Sequence, residues 1–127
     1  MKQAAAPPLE LGRLGVLWDA GLGAAYDAYL AGRIAAAYER EPVAMAAALV
    51  ETALRVQELG NGAAEAQALL LGDLCLSRAS RLLVDHGDQR LQTAVSRAVE
   101  QSAAAAAAGG EQPPLRETLA LAIEGRA

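Results

Sequence analysis

The sequence predicts an all-α protein, a compact bundle of five or six mainly antiparallel helices. Hydrophobic residues make up 54% of the 127 residues, which is enough for one domain with a buried core. Aromatic residues make up only 3% and phenylalanine is absent, whereas alanine, the strongest helix former, is the commonest residue. This composition favours closely packed helices over a sheet.

The chain divides into a short tail and one helical domain. Residues 1–8 are predicted to be a flexible N-terminal tail, because Pro7 and Pro8 block helix formation. Residues 9–127 are predicted to form a single domain. Its first helix is expected over 9–38, with a break near Gly21 and Gly23, because glycine weakens a helix by about 1 kcal/mol relative to alanine.

Two periodic apolar segments predict a helical hairpin. A helix over 42–59 ends at Gly60-Asn61-Gly62, which supplies a C-cap and a tight turn. The helix over 67–87 follows, with His86 in its last turn and Gly87 at the C-cap. Its apolar stripe covers more than half of its circumference, so we expect it in the middle of the bundle. Cys75 lies on that stripe and is expected to be buried.

Two further helices complete the predicted bundle. Asp88 can cap a helix over 88–108 that carries Leu91, Ala94, Val95, Ala98, Val99 and Ser102 on one face and stops at a glycine pair. Pro113-Pro114 opens a last helix over 115–124, in which Leu115, Leu119, Ala122 and Ile123 are expected to face inward.

The charge balance and the single cysteine limit the partners and the compartment. A net charge of −4 without a basic block argues against a nucleic-acid partner. One cysteine excludes an intramolecular disulfide framework and fits a cytoplasmic protein. No signal peptide and no apolar run long enough to span a membrane is visible.

Few residues carry recognisable chemistry. Ser77, Ser80 and Cys75 stand in no nucleophile motif. The segment 85–88, Asp-His-Gly-Asp, has donors for a metal, but a helix-end histidine and a capping aspartate explain the same residues. Asp73, at the edge of the apolar stripe, is the one carboxylate with an unusual position, although a structural role is favoured. We therefore expect no catalytic residue, no metal site and no cofactor.

A family resemblance begins at the segment 71–79, LGDLCLSRA. It resembles a helix of the trans-polyprenyl diphosphate synthase family that reads roughly L-x-G-D-[YFL]-L-x-[SA]-[KR]-A, with Gly72, Asp73, Ser77 and Arg78 as the matching motif residues. The segment 48–54 looks like the family's E-L-I-H-T-A-S-L helix, and 98–112 looks like its G-E helix end. The resemblance implies a helical bundle similar to part of the isoprenoid synthase fold.

The chain departs from that family at its catalytic motif. Where the family has D-D-x-x-D, whose carboxylates hold Mg²⁺ against a diphosphate, this sequence has Gln57-Glu58-Leu59-Gly60-Asn61. Neither aspartate-rich motif is present, and clamping a diphosphate requires several carboxylates and cationic donors. The expectation is therefore a truncated, non-catalytic chain that is not an enzyme by itself.

The resemblance implies an accessory role through protein–protein contacts. The expected function is that of the small or regulatory subunit of a two-component polyprenyl diphosphate synthase, present as a homodimer or as a heterodimer with the catalytic subunit. Because the family dimerises through helices of this region, Leu70, Leu76, Leu91 and Val95 are the predicted interface residues. The alternatives are a self-associating helical domain unrelated to prenyl metabolism and, less favoured, a small hydrolase or lyase with an unrecognised carboxylate site.

Overall fold

Every regular element that the structure describes is helical. The structure is a computed structural model that describes residues 11–59, 65–109 and 114–126. A 3₁₀ helix (Gly12–Leu17) and a π-helical turn (Trp18–Leu22) precede five α-helices: α1 (Gly23–Ala31), α2 (Arg40–Leu59), α3 (Glu65–His86), α4 (Gln89–Ala107) and α5 (Leu115–Glu124). The predicted all-α class is confirmed, and the five α-helices pack together. The predicted tail over residues 1–8 lies outside the described residues.

Helix α2 lies at the centre of the bundle. Every residue from 43 to 50 is buried, and four of them are alanines, whose small side chains let neighbouring helices approach from several sides. Helices α1, α3 and α5 all pack against α2. The prediction that the segment 67–87 occupies the middle is wrong, because α3 buries only one side and leaves Leu69, Leu70 and Val84 exposed.

Helices α2 and α3 form the predicted antiparallel hairpin. Gln57 near the end of α2 lies against Gly72 near the start of α3, where a Cβ atom on the glycine would be 2.5 Å from Gln57 Nε2. At the other end, Glu39 just before α2 pairs with His86 in the last turn of α3, with 2.9 Å between Oε1 and Nδ1. Both ends of the hairpin are therefore held by side-chain contacts.

The segment before α2 is not the long helix that the sequence predicts. The break near Gly21 is confirmed, because Gly21 has φ 131°, a left-handed value that other residues rarely adopt. Helix α1 then ends at Ala31, and residues 32–39 are irregular, so the predicted continuation to residue 38 is wrong. The irregular segment is fastened to α5 by a 2.9 Å hydrogen bond from Ala35 N to Ile123 O.

Helices α4 and α5 match their predicted limits closely. Asp88 caps α4 by accepting a hydrogen bond from Leu91 N at 2.8 Å, as predicted. The inward residues of α4 are Leu91, Val95, Ala98 and Ser102, and those of α5 are Leu119, Ala122 and Ile123. All but Ser102 join one hydrophobic core with residues of α1, α2 and α3.

Candidate functional site

The most strongly connected polar group that the structure describes is the carboxylate of Glu51, in the buried middle of α2. Tyr29 of α1 donates a hydrogen bond to Oε1 at 2.8 Å. Arg116 of α5 donates two, from Nε to Oε1 at 2.9 Å and from Nη2 to Oε2 at 2.6 Å. Arg55, one turn later on α2, donates to Oε2 at 2.6 Å. This glutamate network, defined as Glu51, Tyr29, Arg55 and Arg116, joins three helices.

Local sequence positions these partners. Glu51 and Arg55 are four residues apart, so they lie on the same side of α2. Gly21 gives Arg55 room, because a Cβ atom at residue 21 would lie 2.8 Å from the Arg55 guanidinium. Arg116 is in the first turn of α5 and its guanidinium also lies over the Tyr29 ring, 6.0 Å from its centre.

The network keeps Glu51 ionised. Burial acts to raise the pKa of this carboxyl, but the hydrogen bonds from Arg116 and Tyr29 and the charges of Arg116 and Arg55 outweigh it, so the pKa lies below its ordinary value. Burial, followed by the hydrogen bond to Glu51, raises the pKa of Tyr29. The hydrogen bonds to Glu51 also raise the pKa of Arg116. At neutral pH the glutamate is thus an anion between two cations.

This arrangement suits structural fastening better than acid–base chemistry at Glu51. Both carboxylate oxygens already accept two hydrogen bonds each, and the side chain is 7% exposed. A general base needs a free lone pair that faces its substrate and a pKa near the working pH. Glu51 has neither property, so we interpret the network as the polar link among α1, α2 and α5.

The predicted motif residues lie apart from this network. Gly72 is buried at the contact of α2 with α3, where its missing side chain makes room for Gln57. Asp73 is exposed and meets Gln57 Nε2 at 3.5 Å. Ser77 and Arg78 line an open cavity between α3 and the 3₁₀ helix. Gly72 and Asp73 therefore face α2, whereas Ser77 and Arg78 face the N-terminal segment.

The four predicted interface residues differ in exposure. Leu70 is 54% exposed and Leu76 is half-buried, whereas Leu91 and Val95 are 1% and 5% exposed. Leu91 therefore belongs to the core of the chain itself. Leu76 and Val95 line an apolar groove of about 380 Å³ between α3 and α4, whose floor includes Val50 of α2.

The segment 85–88 has intramolecular partners at each polar side chain. Asp85 pairs with Arg81 at 3.4 Å, His86 pairs with Glu39, and Asp88 caps α4 and also accepts a hydrogen bond from Tyr38 Oη at 3.1 Å. Within the described ranges, no three His, Cys, Asp or Glu residues are grouped as metal ligands would be. Cys75 is buried as predicted, and burial raises its thiol pKa to about 11.

Comparisons with known proteins add no assignment. A scan against protein-family models found no match, and neither a curated protein nor a solved structure matched the chain. Among the helices that the structure describes, none is both long and apolar enough to cross a bilayer. The resemblance to polyprenyl diphosphate synthases therefore stays a prediction.

The sequence interpretation missed the glutamate network. It singled out Asp73, which is exposed, and gave no role to Glu51, whose partners Tyr29 and Arg116 are 22 and 65 residues away in sequence. One local signal was present: a glutamate that interrupts the apolar run of α2, with an arginine four residues later. The distant partners leave no comparable mark in the sequence.

Proposed function

We propose that this chain is a non-catalytic helical protein that acts through protein–protein contacts, and that its docking surface is the α3/α4 face. This face comprises the groove between α3 and α4, whose lining includes Leu76, Val95 and Val99, and the exposed side chains of Leu69, Leu70 and Val84 on α3. The supporting observation is that Val84, Leu70 and Leu69 are 61%, 54% and 45% exposed. Exposed apolar side chains on a helix that also lines an apolar groove support an interface at that face.

The spacing of these residues fits a helix as the docked element. Leu69, Leu76 and Leu83 recur at intervals of seven residues, so they align along α3 with little angular drift. Helices α3 and α4 touch only over a short length, which leaves the groove open beside this row. An apolar helix that lies in such a groove is a common mode of recognition.

The occupant that we propose is a second copy of this chain. A two-fold axis would place the exposed α3 row of each copy against the groove of the other, since an isologous interface uses the same patch twice. Glu100 is the one charged residue among the described residues that line the groove. Two copies with a net charge of −4 each can therefore meet there with little repulsion.

A catalytic polyprenyl synthase subunit is the second candidate partner, and it would make this chain a cytoplasmic accessory subunit of isoprenoid biosynthesis. The support is the LGDLCLSRA resemblance together with one contact. Gln57, which begins the segment that replaces the family's aspartate-rich motif, lies beside Gly72 and Asp73 of the second motif. The two motif regions of the resemblance are thus neighbours across α2 and α3.

Sedimentation of matched variants tests the proposal. At micromolar concentration we expect a dimer of the 13.0 kDa chain. Val84→Arg should shift it toward the monomer, because a charge would enter the apolar contact. Val16→Arg is the matched control, since Val16 is 73% exposed on the 3₁₀ helix outside the proposed face.

Different results point to different errors. A wild-type chain that sediments only as a monomer would contradict self-association. Equal weakening by both substitutions would indicate that the α3/α4 face is not the interface. For the second candidate, the chain and a catalytic polyprenyl synthase should co-purify when mixed, and Val84→Arg should abolish that complex; a mixture that elutes as separate proteins would refute it.

A further inference from the structure

A groove lies between α4 and α5, on the side of α4 away from the α3/α4 face. Its volume is about 510 Å³, and its described lining includes Arg90, Ala94 and Arg97 of α4 and Thr118 and Leu121 of α5. None of its described lining residues belongs to the groove between α3 and α4 or to the glutamate network. The docking surface and the structural network therefore leave this groove, termed the α4/α5 groove, unexplained.

The α4 wall of this groove is cationic. Arg90 and Arg97 are both exposed and seven residues apart, so they lie on the same side of α4, about 10 Å apart along its axis. Neither arginine forms an ion pair with a described residue, and the described lining contains no carboxylate. Arg90 also has an electrostatic interaction with the hydroxyl of Tyr38, which is neutral at pH 7 and leaves the charge of the arginine in place.

The exposed face of α5 carries the opposite charges at the same spacing. Glu117 is exposed, and Glu124, seven residues later, is partly buried. Within the described ranges Glu117 has no ion pair, whereas Glu124 has only a long contact of 3.8 Å with Arg126, a side chain that is 71% exposed. Leu121 lies between the two glutamates on the same face and is 43% exposed. This acidic row of α5 therefore has the same spacing as the two arginines of α4.

We propose that α5 of a second copy of this chain lies in the α4/α5 groove, with its two glutamates paired to Arg90 and Arg97. Because the glutamates and the arginines have the same seven-residue spacing, both ion pairs can form at once in either direction of the docked helix. A two-fold axis repeats the contact, since each copy carries both the groove and the acidic row. Leu121 of the docked helix would lie against the small side chain of Ala94.

This contact is independent of the α3/α4 face and should be the weaker of the two. Exposed ion pairs contribute little individually, and the apolar part of the contact is one leucine from each copy. We expect a dissociation constant in the upper micromolar range, so that the contact joins two dimers only at high concentration. At micromolar concentration it is not populated, and a substitution at Glu117 then leaves the stability of the separate chain unaffected.

Sedimentation of the Val84→Arg variant tests this contact separately from the docking function. This background substitution removes the α3/α4 interface and leaves the α4/α5 groove intact. We expect the variant to be monomeric at micromolar concentration and to dimerise reversibly toward millimolar concentration. Added salt should weaken this dimer, since exposed charges are screened.

Charge reversal in the same background identifies the contact. The double substitution Arg90→Glu and Arg97→Glu should raise the dissociation constant at least about tenfold, because like charges would then face each other. Glu117→Arg with Glu124→Arg should do the same. A mixture of these two variants should associate, because the acidic groove of one meets the basic α5 of the other, and the reverse, in the two halves of the contact.

The matched control is Arg13→Glu with Arg33→Glu, which makes an equal change in net charge at exposed positions outside the groove. It should retain the association that the groove variant loses, and circular dichroism would verify that each variant is folded. Three results would overturn the proposal: a Val84→Arg chain that stays monomeric at millimolar concentration, an equal loss in the control, or a mixture of the two reversed variants that stays monomeric. None of them would alter the effect of Val84→Arg on the micromolar dimer, so a failure of this contact is distinguishable from a failure of the docking function.

Discussion

Replacement of Glu51 by glutamine isolates the charge that joins α1, α2 and α5. Glutamine retains the shape of glutamate and one acceptor oxygen, but it removes the negative charge and places an amide donor beside Tyr29 or the arginines. The four hydrogen bonds to Glu51 would then lose their charged acceptor. We expect a folded but less stable protein.

The expected loss in the free energy of unfolding follows from how deeply the glutamate and the two arginines are buried. The Glu51 side chain is 7% exposed, whereas Arg55 and Arg116 are 44% and 50% exposed, so water can solvate the guanidinium groups once the carboxylate is gone. Removing one partner of a fully buried ion pair costs about 3–5 kcal/mol, and a hydrogen bond to a charged group contributes about 1.5–3 kcal/mol. For this half-exposed network we expect a loss of about 2–3 kcal/mol at pH 7.

The loss should depend on pH in a defined direction. Because the folded pKa of Glu51 is lowered, its stabilisation is fully present above the unfolded glutamate pKa of about 4.3 and disappears as the pH falls through the folded pKa. Urea denaturation followed by circular dichroism at pH 7 and at successively lower pH measures this. The free-energy difference between wild type and Glu51→Gln should narrow below about pH 4.

The control is Glu117→Gln, which removes a glutamate charge from an exposed position on α5, outside the α3/α4 face. It should change stability by less than about 0.5 kcal/mol, as is usual for surface substitutions. The reasoning would be refuted by a Glu51→Gln variant as stable as this control at pH 7. A difference from wild type that is independent of pH would refute the assignment of the stabilisation to the carboxylate charge.

Three further substitutions address Tyr29, the hairpin and α3. Tyr29→Phe should lower the free energy of unfolding by about 1–2 kcal/mol, because it removes a buried hydrogen bond. The pKa of Tyr29 is raised in the folded protein, so its stabilisation is present below the unfolded pKa of about 10 and is lost as the pH rises through the folded pKa. Above about pH 10 the free energy of unfolding should therefore decline less in the variant than in wild type. Gly72→Ala should destabilise the protein by about 1 kcal/mol, because overpacking against Gln57 outweighs the higher helix propensity of alanine. In a Gln57→Ala background the same substitution should stabilise the protein. Destabilisation in both backgrounds would show that the contact with Gln57 is not the cause. Leu82→Ala should lose about 2–5 kcal/mol and Leu74→Ala less, since Leu82 is 8% exposed and Leu74 only half-buried; the reverse order in urea denaturation would mean that the stripe of α3 is misplaced.

Much of the fold could be predicted because its signals are local. Asp88 caps α4 as predicted, and apolar periodicity marks the inward faces of α4 and α5. The N-terminal segment was harder to predict. Its glycines indicated a weak helix, but the contact between Gly21 and the guanidinium of Arg55 on another helix leaves no local mark in the sequence.

The choice of the central helix could not be predicted from apolar periodicity. A wide stripe of leucines indicates how much surface a helix must bury, but it does not show how many neighbours surround it. Alanines at 44 and 46–48 make α2 thin enough to be enclosed, whereas the leucines of α3 exceed what its neighbours cover. The same surplus produces the exposed row at Leu69, Leu70 and Val84, on which the proposed docking surface depends.

Stability and association should therefore depend on different parts of the molecule. The glutamate network joins α1 and α5 to α2, whereas α3 is held mainly by its packing on α2 and touches α4 over a short length. A partner can thus occupy the α3/α4 face without disturbing Glu51. We expect Glu51→Gln to lower the free energy of unfolding of the monomer and to leave the monomer–dimer constant of the folded chain unchanged. Val84→Arg should weaken the dimer and leave the free energy of unfolding of the monomer unchanged. If either of these two substitutions changed the free energy of unfolding and the monomer–dimer constant equally, the two regions would be coupled and the α3/α4 face would not be an independent surface.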